Sequence, residues 1–392
     1  MIPVICLAVL SSQAVPPTAS VPFRVSENAI IVDGAVNKRP VSLMFDTGFS
    51  ASVNVGDNVD LGKPTGHMTL TDFVGSFEAA TVKVTDLKVG AVSMDTSGLS
   101  DAILSRGDYS RVYGTHCDGV LGLECMAHRV LGINFEHSRF DFYPASMDIS
   151  KWTPDNKKTF LVKLLPTGDN SLEMSVQTPT GKRMVMALDT GNGFYATTHR
   201  DVLARVGLWK DSETPQFMSE SMVASGPVDS WSLLLKNMTI FGVPVPSGVW
   251  DIIDLPSATA EGDGTVGYGF LHNFNIIVDF ERRRVWLENF TGKTADDPLG
   301  DVGLFALADR KSGDVKVFRV TPNSPAAKAG IKEGDTILSV GDDDLPKYIG
   351  YERMRKMLEG PVGSKVNLAI SSDGGVKRYD LERVELYNQV GQ

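Results

Sequence analysis

The chain of 392 residues carries 38 lysines and arginines against 48 aspartates and glutamates, a formal net charge of −10. That balance argues against a general nucleic-acid binder, which needs a basic footprint, and a composition 42% apolar and 22% charged excludes wholesale disorder. The length suffices for two or three domains with their own cores, and no apolar run is long enough for a transmembrane helix of standard length.

Taken in chain order, Ile2 to Leu10 is a short apolar core followed by Ser11-Ser12-Gln13-Ala14, the pattern of a signal peptide over 1–14, although it lacks basic leader residues. A mis-assigned start or a short apolar strand are the alternatives. With the signal, the protein is expected to be exported, periplasmic or extracellular; without it, cytoplasmic. Phe23-Arg24-Val25 and Ile30-Ile31-Val32 read as strands, and Asp33-Gly34 as the turn that returns the chain through Val41 to Phe45. Val82 and Val84, then Leu87 and Val89, alternate with polar residues but slip phase by one, which predicts a bulge or bend. Helical pattern is sparse, with Glu124 to Val130 and Arg200 to Val206 the better candidates.

Two of the three cysteines, Cys117 and Cys125, lie near His116 and His128. Buried free thiols are the default reading, and a Cys117–Cys125 bridge or a zinc site are alternatives whose spacing matches no standard framework. Beyond a polar, turn-rich linker at 291–298, Val315 to Val320 reads as a strand. Ala326 to Gly330 reads as a short helix ended by glycine, and Tyr351 to Leu358 as an amphipathic helix.

The most informative feature is a repeat. Asp46-Thr47-Gly48 follows the apolar run Val41 to Phe45, and Asp189-Thr190-Gly191 follows Met184 to Leu188, 143 positions later. Val120-Leu121-Gly122 then corresponds to Thr265-Val266-Gly267 at an offset of 145, and Ile133 to Phe140 corresponds to Val278 to Val285 at the same offset. A near-constant offset with a drift of two residues describes a duplicated unit with one small loop insertion.

An Asp-Thr-Gly triplet followed some seventy residues later by two apolar residues and glycine resembles aspartic peptidases of the pepsin and retropepsin type, here over residues 22–290. The resemblance implies a mainly β, bilobal double β-barrel, with lobes at 22–150 and 151–290 and an active site assembled within a monomer. It implies an aspartic-type endopeptidase, in which Asp46 and Asp189 share one proton and activate water against a polypeptide substrate. Thr47, Gly48, Thr190, Gly191, Gly122 and Gly267 would support the active-site loops, and no metal or organic cofactor is required. A flap is expected between His67 and Phe77, with Phe73 at its tip. The position after each triplet is Phe49 and Asn192, where the family usually has a hydroxyl or alanine. A catalytically inactive relative that acts as a binding or scaffold protein is the alternative.

The tail over 299–388, with Ser324-Pro325-Ala326-Ala327-Lys328-Ala329-Gly330, resembles a small α+β PDZ domain of the bacterial protease-associated kind. The resemblance places Val302, Gly303 and Leu304 at the peptide-carboxylate loop, with Asp301 in place of its first glycine, and implies a peptide ligand.

Overall fold

The computed structural model describes residues 15–71, 76–127, 129–166, 171–210, 212–223, 226–257, 262–372 and 374–390. The expected signal peptide, Phe73 at the flap and His128 of the cysteine cluster all lie outside these residues. The protein is mainly β with few helices, as its strand-like pieces predict, and no helix among the described residues is long and apolar enough to cross a membrane.

A ten-stranded sheet is built from the first half of the chain and an eight-stranded sheet from the second. In each, the strand that ends in the Asp-Thr-Gly triplet runs parallel to a short buried strand from much later in sequence. Arg39–Asp46 pairs with Gly119–Gly122, and Arg183–Leu188 pairs with Gly264–Val266. Each short strand has a second, antiparallel neighbour, Val53–Gly56 in the first sheet and Ala196–His199 in the second. The repeat seen in sequence is therefore a repeat in topology.

A six-stranded sheet joins the two halves through Val130–Asn134 and Phe274–Asp279. Leu131 pairs with Val278 and Ile133 with Ile276. An offset of 145 carries Leu131 onto Ile276 and Ile133 onto Val278, so this pairing maps onto itself and Gly132–Ile277 lies at its centre. One apolar core, with Phe45, Leu131, Phe140, Leu188, Val278 and Phe274 all buried, runs through both halves.

Three local expectations need correction. Asp33-Gly34 is not the turn: the strand Ala29–Val36 runs straight through it, and the chain reverses at Asn37-Lys38, whose φ values of 49° and 67° make the left-handed pair that tight hairpins need. Gly34 is there for close approach, since a Cβ would fall on the Lys88 carbonyl of the neighbouring strand. The phase slip after Val82 is a break between strands, which end at Val82 and resume at Leu87. Arg200–Val206 is helical as expected, whereas the Glu124 segment is a 3-10 turn over Leu123–Met126.

The tail forms its own six-stranded sheet with a separate apolar core that includes Val302, Leu304, Ile337, Met354 and Leu358. Ser324 caps the short helix Pro325–Lys328 by accepting from the Ala327 amide at 3.1 Å, and Gly330 follows at φ 81°. The helix Tyr351–Leu358 is docked on the body. The tight turn Glu27-Asn28 reaches its first turn, where the Glu27 carboxylate accepts from the Arg353 amide that glycine at the N-cap leaves open. Asn28 Nδ2 donates to Glu352 Oε2 at 3.0 Å and to the Gly193 carbonyl at 3.2 Å, while Lys356 donates to Asn28 Oδ1 at 2.6 Å. At the far end of the tail, Asn388 pairs beside Leu233 and binds the Gln216 amide at 2.7 Å.

Candidate functional site

The two Asp-Thr-Gly loops meet where the halves join. The Thr47 hydroxyl donates to the Leu188 carbonyl at 2.6 Å and the Thr190 hydroxyl to the Phe45 carbonyl at 2.8 Å. Each hydroxyl also accepts from the backbone amide of the other threonine. Both threonines are buried, so these four bonds satisfy groups that water does not reach.

That grip sets Asp46 and Asp189 side by side, with a hydrogen bond between their carboxyl groups. Asp46 Oδ1 accepts from the amides of Gly48 at 2.7 Å and Phe49 at 3.2 Å. Asp189 Oδ1 accepts from Gly191 at 2.9 Å and Asn192 at 3.1 Å. Gly48 and Gly191 are required by the approach of the opposite half. A Cβ on Gly48 would lie 2.7 Å from Asp189 Cγ, and one on Gly191 would fall on the Asp46 carboxyl.

Burial, then the negative charge of Asp189, hold Asp46 well above the usual carboxylate range. Burial raises Asp189 as well, against the opposing hydrogen bonds from Asp46, from its two loop amides and from the Thr265 side chain. Two adjacent carboxyls in this setting retain one proton between them, and their titration belongs to the pair.

Gly122 and Gly267 take equivalent roles. The Gly122 amide donates to Ser52 and the Leu123 amide to Phe49, while the Gly267 amide donates to Tyr195 and the Tyr268 amide to Asn192. A Cβ on Gly122 would lie 2.8 Å from Phe49, and one on Gly267 would lie 2.8 Å from Asn192 Cγ. Asn192 does not stand in for the missing hydroxyl. Its Nδ2 donates to Thr197 and Thr265 at 2.9 and 2.8 Å, and its Oδ1 accepts from the Phe194 amide.

A hydroxyl that draws Asp189 downward belongs to Thr265, a residue the sequence reading passed over, whose Oγ1 accepts from Asn192 Nδ2 at 2.8 Å. A signal for it existed, since the repeat aligns Thr265 with Val120 and a hydroxyl at an apolar position is out of pattern. The equivalent residue of the first half, Val120, has no hydroxyl.

Cys117 and Cys125 are buried free thiols. Their sulfurs donate to different carbonyls, of Gly119 and Ser52, and burial pushes the Cys117 thiol up to about 11. Among the described residues, no group of three or more His, Cys, Asp and Glu side chains is placed to hold a metal ion. Val302, Gly303 and Leu304 lead into the edge strand Leu304–Ala308 of the tail's sheet, alongside Tyr351–Leu358.

Comparison with known proteins identifies residues 317–371 as matching the PDZ domain family. The chain is 30% identical over 140 residues to the periplasmic serine endoprotease DegP of Escherichia coli, covering 34% of this chain and 28% of DegP. It is 35% identical over 80 residues to a putative zinc metalloprotease of Brucella suis, covering 20% of each. The chain thus spans less than a third of the length of the curated relatives it matches. A solved aspartic proteinase from Irpex lacteus aligns over 70% of this chain and 98% of its own, at 18% identity and a TM-score of 0.37, a likeness too loose to carry an argument.

These relatives correct the expected activity. They are named as serine and zinc proteases, so the aspartic-type endopeptidase expected from the Asp-Thr-Gly resemblance is overturned as the assigned class. What the comparisons establish is a PDZ domain in a chain related to proteases.

Proposed function

We propose that this protein works in proteolysis as a two-part molecule. The PDZ domain over 299–388 captures an extended polypeptide, and the β body over 22–290 holds the reaction centre, with 291–298 as the linker. The observation that carries the reading is the PDZ match together with relatives that are themselves proteases. PDZ domains bind by adding an extended peptide to a sheet edge, a conformation suited to presenting chains for cleavage.

Within the body, Asp46 and Asp189 are the candidate site, two adjacent carboxyls held at the joint between the halves. Thr47, Thr190 and the four glycines would position that pair. The self-mapping register between the halves and the matched strand pairings support reading the body as two equivalent lobes, each a β-barrel in the manner of the pepsin fold.

The test is degradation of fluorescein-labelled casein by the full chain between pH 4 and 8. Release of acid-soluble fragments is expected. No release at any pH, from protein with a native circular dichroism spectrum, would sink the proposal.

A further inference from the structure

The PDZ sheet ends on Leu304–Ala308, and a peptide added to that edge would run between this strand and the helix Tyr351–Leu358. The end of such a peptide meets the loop Asp301 to Leu304, where backbone amides can hold a terminal carboxylate. Here the Gly303 amide already has a carboxyl partner. Asp301 Oδ1 accepts from it at 2.5 Å.

The occupant is fixed in place. The Asp301 amide donates to the Val384 carbonyl at 2.9 Å, and its carbonyl accepts from the Val384 amide at 3.0 Å. A side chain on this anchored backbone cannot leave without breaking its own loop contacts. The groups facing it are charged on every side. Arg355 and Arg383 attract it, but Arg355 is engaged by Glu352 at 2.8 Å and Glu359 at 2.5 Å. Arg383 is engaged by the Leu358 and Met357 carbonyls at 2.7 and 3.1 Å. A second carboxylate would meet the acidic side chains of Asp301 and Glu359, two committed cations and no free Gly303 amide.

We propose that this PDZ groove binds an internal, extended polypeptide segment and rejects a free C-terminal carboxylate, because the Asp301 side chain occupies that carboxylate's place. The inference rests on the reading above that the groove binds peptide, and it names the class of ligand: chain interiors, as in an unfolded protein, in preference to chain ends. Recognition then comes from backbone pairing along Leu304–Ala308.

The probe is a set of N-terminally fluorescein-labelled dodecapeptides tiling β-casein, each made as the free acid and as the C-terminal amide. Binding to the full chain is read by fluorescence anisotropy in an Asp46→Asn background, so that it does not depend on turnover. Acid and amide forms should bind within twofold of each other. Asp301→Gly should strengthen the acid forms at least tenfold over the amides. Asp301→Asn, whose side-chain oxygen still accepts from Gly303, should leave the ratio near that of the parent. The proposal is overturned if the parent binds acid forms tenfold more tightly, if folded Asp301→Gly leaves the ratio unchanged, or if no peptide binds. Failure of casein cleavage alone would leave the acid-to-amide ratio untouched, so the two readings fail separately.

Discussion

Thr47 and Thr190 exchange hydrogen bonds across the joint between the halves, the amide of each donating to the hydroxyl of the other at 3.1 and 3.0 Å. Removing one hydroxyl strands a buried amide and a buried carbonyl together. Thr190→Val keeps the shape and should cost about 3 kcal/mol, the scale of losing hydrogen bonds to groups that stay buried. Thr190→Ser should stay within about 1 kcal/mol of the parent because it keeps the donor and acceptor. Guanidinium unfolding of the two variants distinguishes them. Equal midpoints would show that the grip contributes only shape.

Asp251 offers a prediction about pH. It is buried, Ser221 donates to its Oδ1 at 2.7 Å, and its Oδ2 has no hydrogen-bond partner among the described residues. Burial raises it to about 6, against hydrogen bonds from Ser221 and Ser230. A carboxyl raised on folding binds its proton more tightly in the native state, so its contribution is favourable below the unfolded value near 4. That contribution is lost as pH rises toward 6. Asp251→Asn removes this dependence. It should stabilise the protein by about 2 kcal/mol at pH 7.5 and flatten the stability profile between pH 4 and 6. A profile parallel to the parent's would contradict the assignment.

Arg355 holds the charge balance where the PDZ helix meets the body. It bonds Glu352 and Glu359 and lies 5.8 Å from the Phe194 ring, two residues beyond Asn192. Burial lifts Glu359 to about 7 despite the attraction of Arg355. Arg355→Met leaves two acidic groups without their cation and should cost about 3 kcal/mol at pH 8. The loss should be smaller at pH 5, where Glu359 takes up a proton. Hydrogen exchange should quicken in 350–358 and in 191–195, the two segments this contact joins. Faster exchange in the helix alone would mean that the PDZ domain and the carboxylate site are not coupled through it.

The parts of this architecture that the sequence made legible are those that repeat. Two triplets and a constant offset predicted equivalent halves, and the symmetric pairing of Leu131 with Val278 is the same regularity in three dimensions. The amphipathic spacing of Met354 and Leu358 located the PDZ helix for the same reason, that periodicity reports burial. Other features left no periodic trace. Asp33-Gly34 has the composition of a turn, but the glycine serves a close strand approach that only the neighbouring chain reveals. Asn28 and Glu352 are 324 positions apart and both polar, so nothing in their local sequence announced their contact. Catalytic class was the least legible, because a paired-carboxylate motif and protease relatives of other classes coexist in one chain.

The most direct test of the account is a double-mutant cycle at the carboxylate pair, with casein turnover by the full chain as the readout. If the Asp46–Asp189 site takes part in that turnover as one unit, Asp46→Asn and Asp189→Asn should each lower turnover at least 100-fold. The double substitution should lower it little further, because residues that act as a unit are not additive. Turnover within twofold of the parent in either folded single variant would place the reaction elsewhere in the molecule.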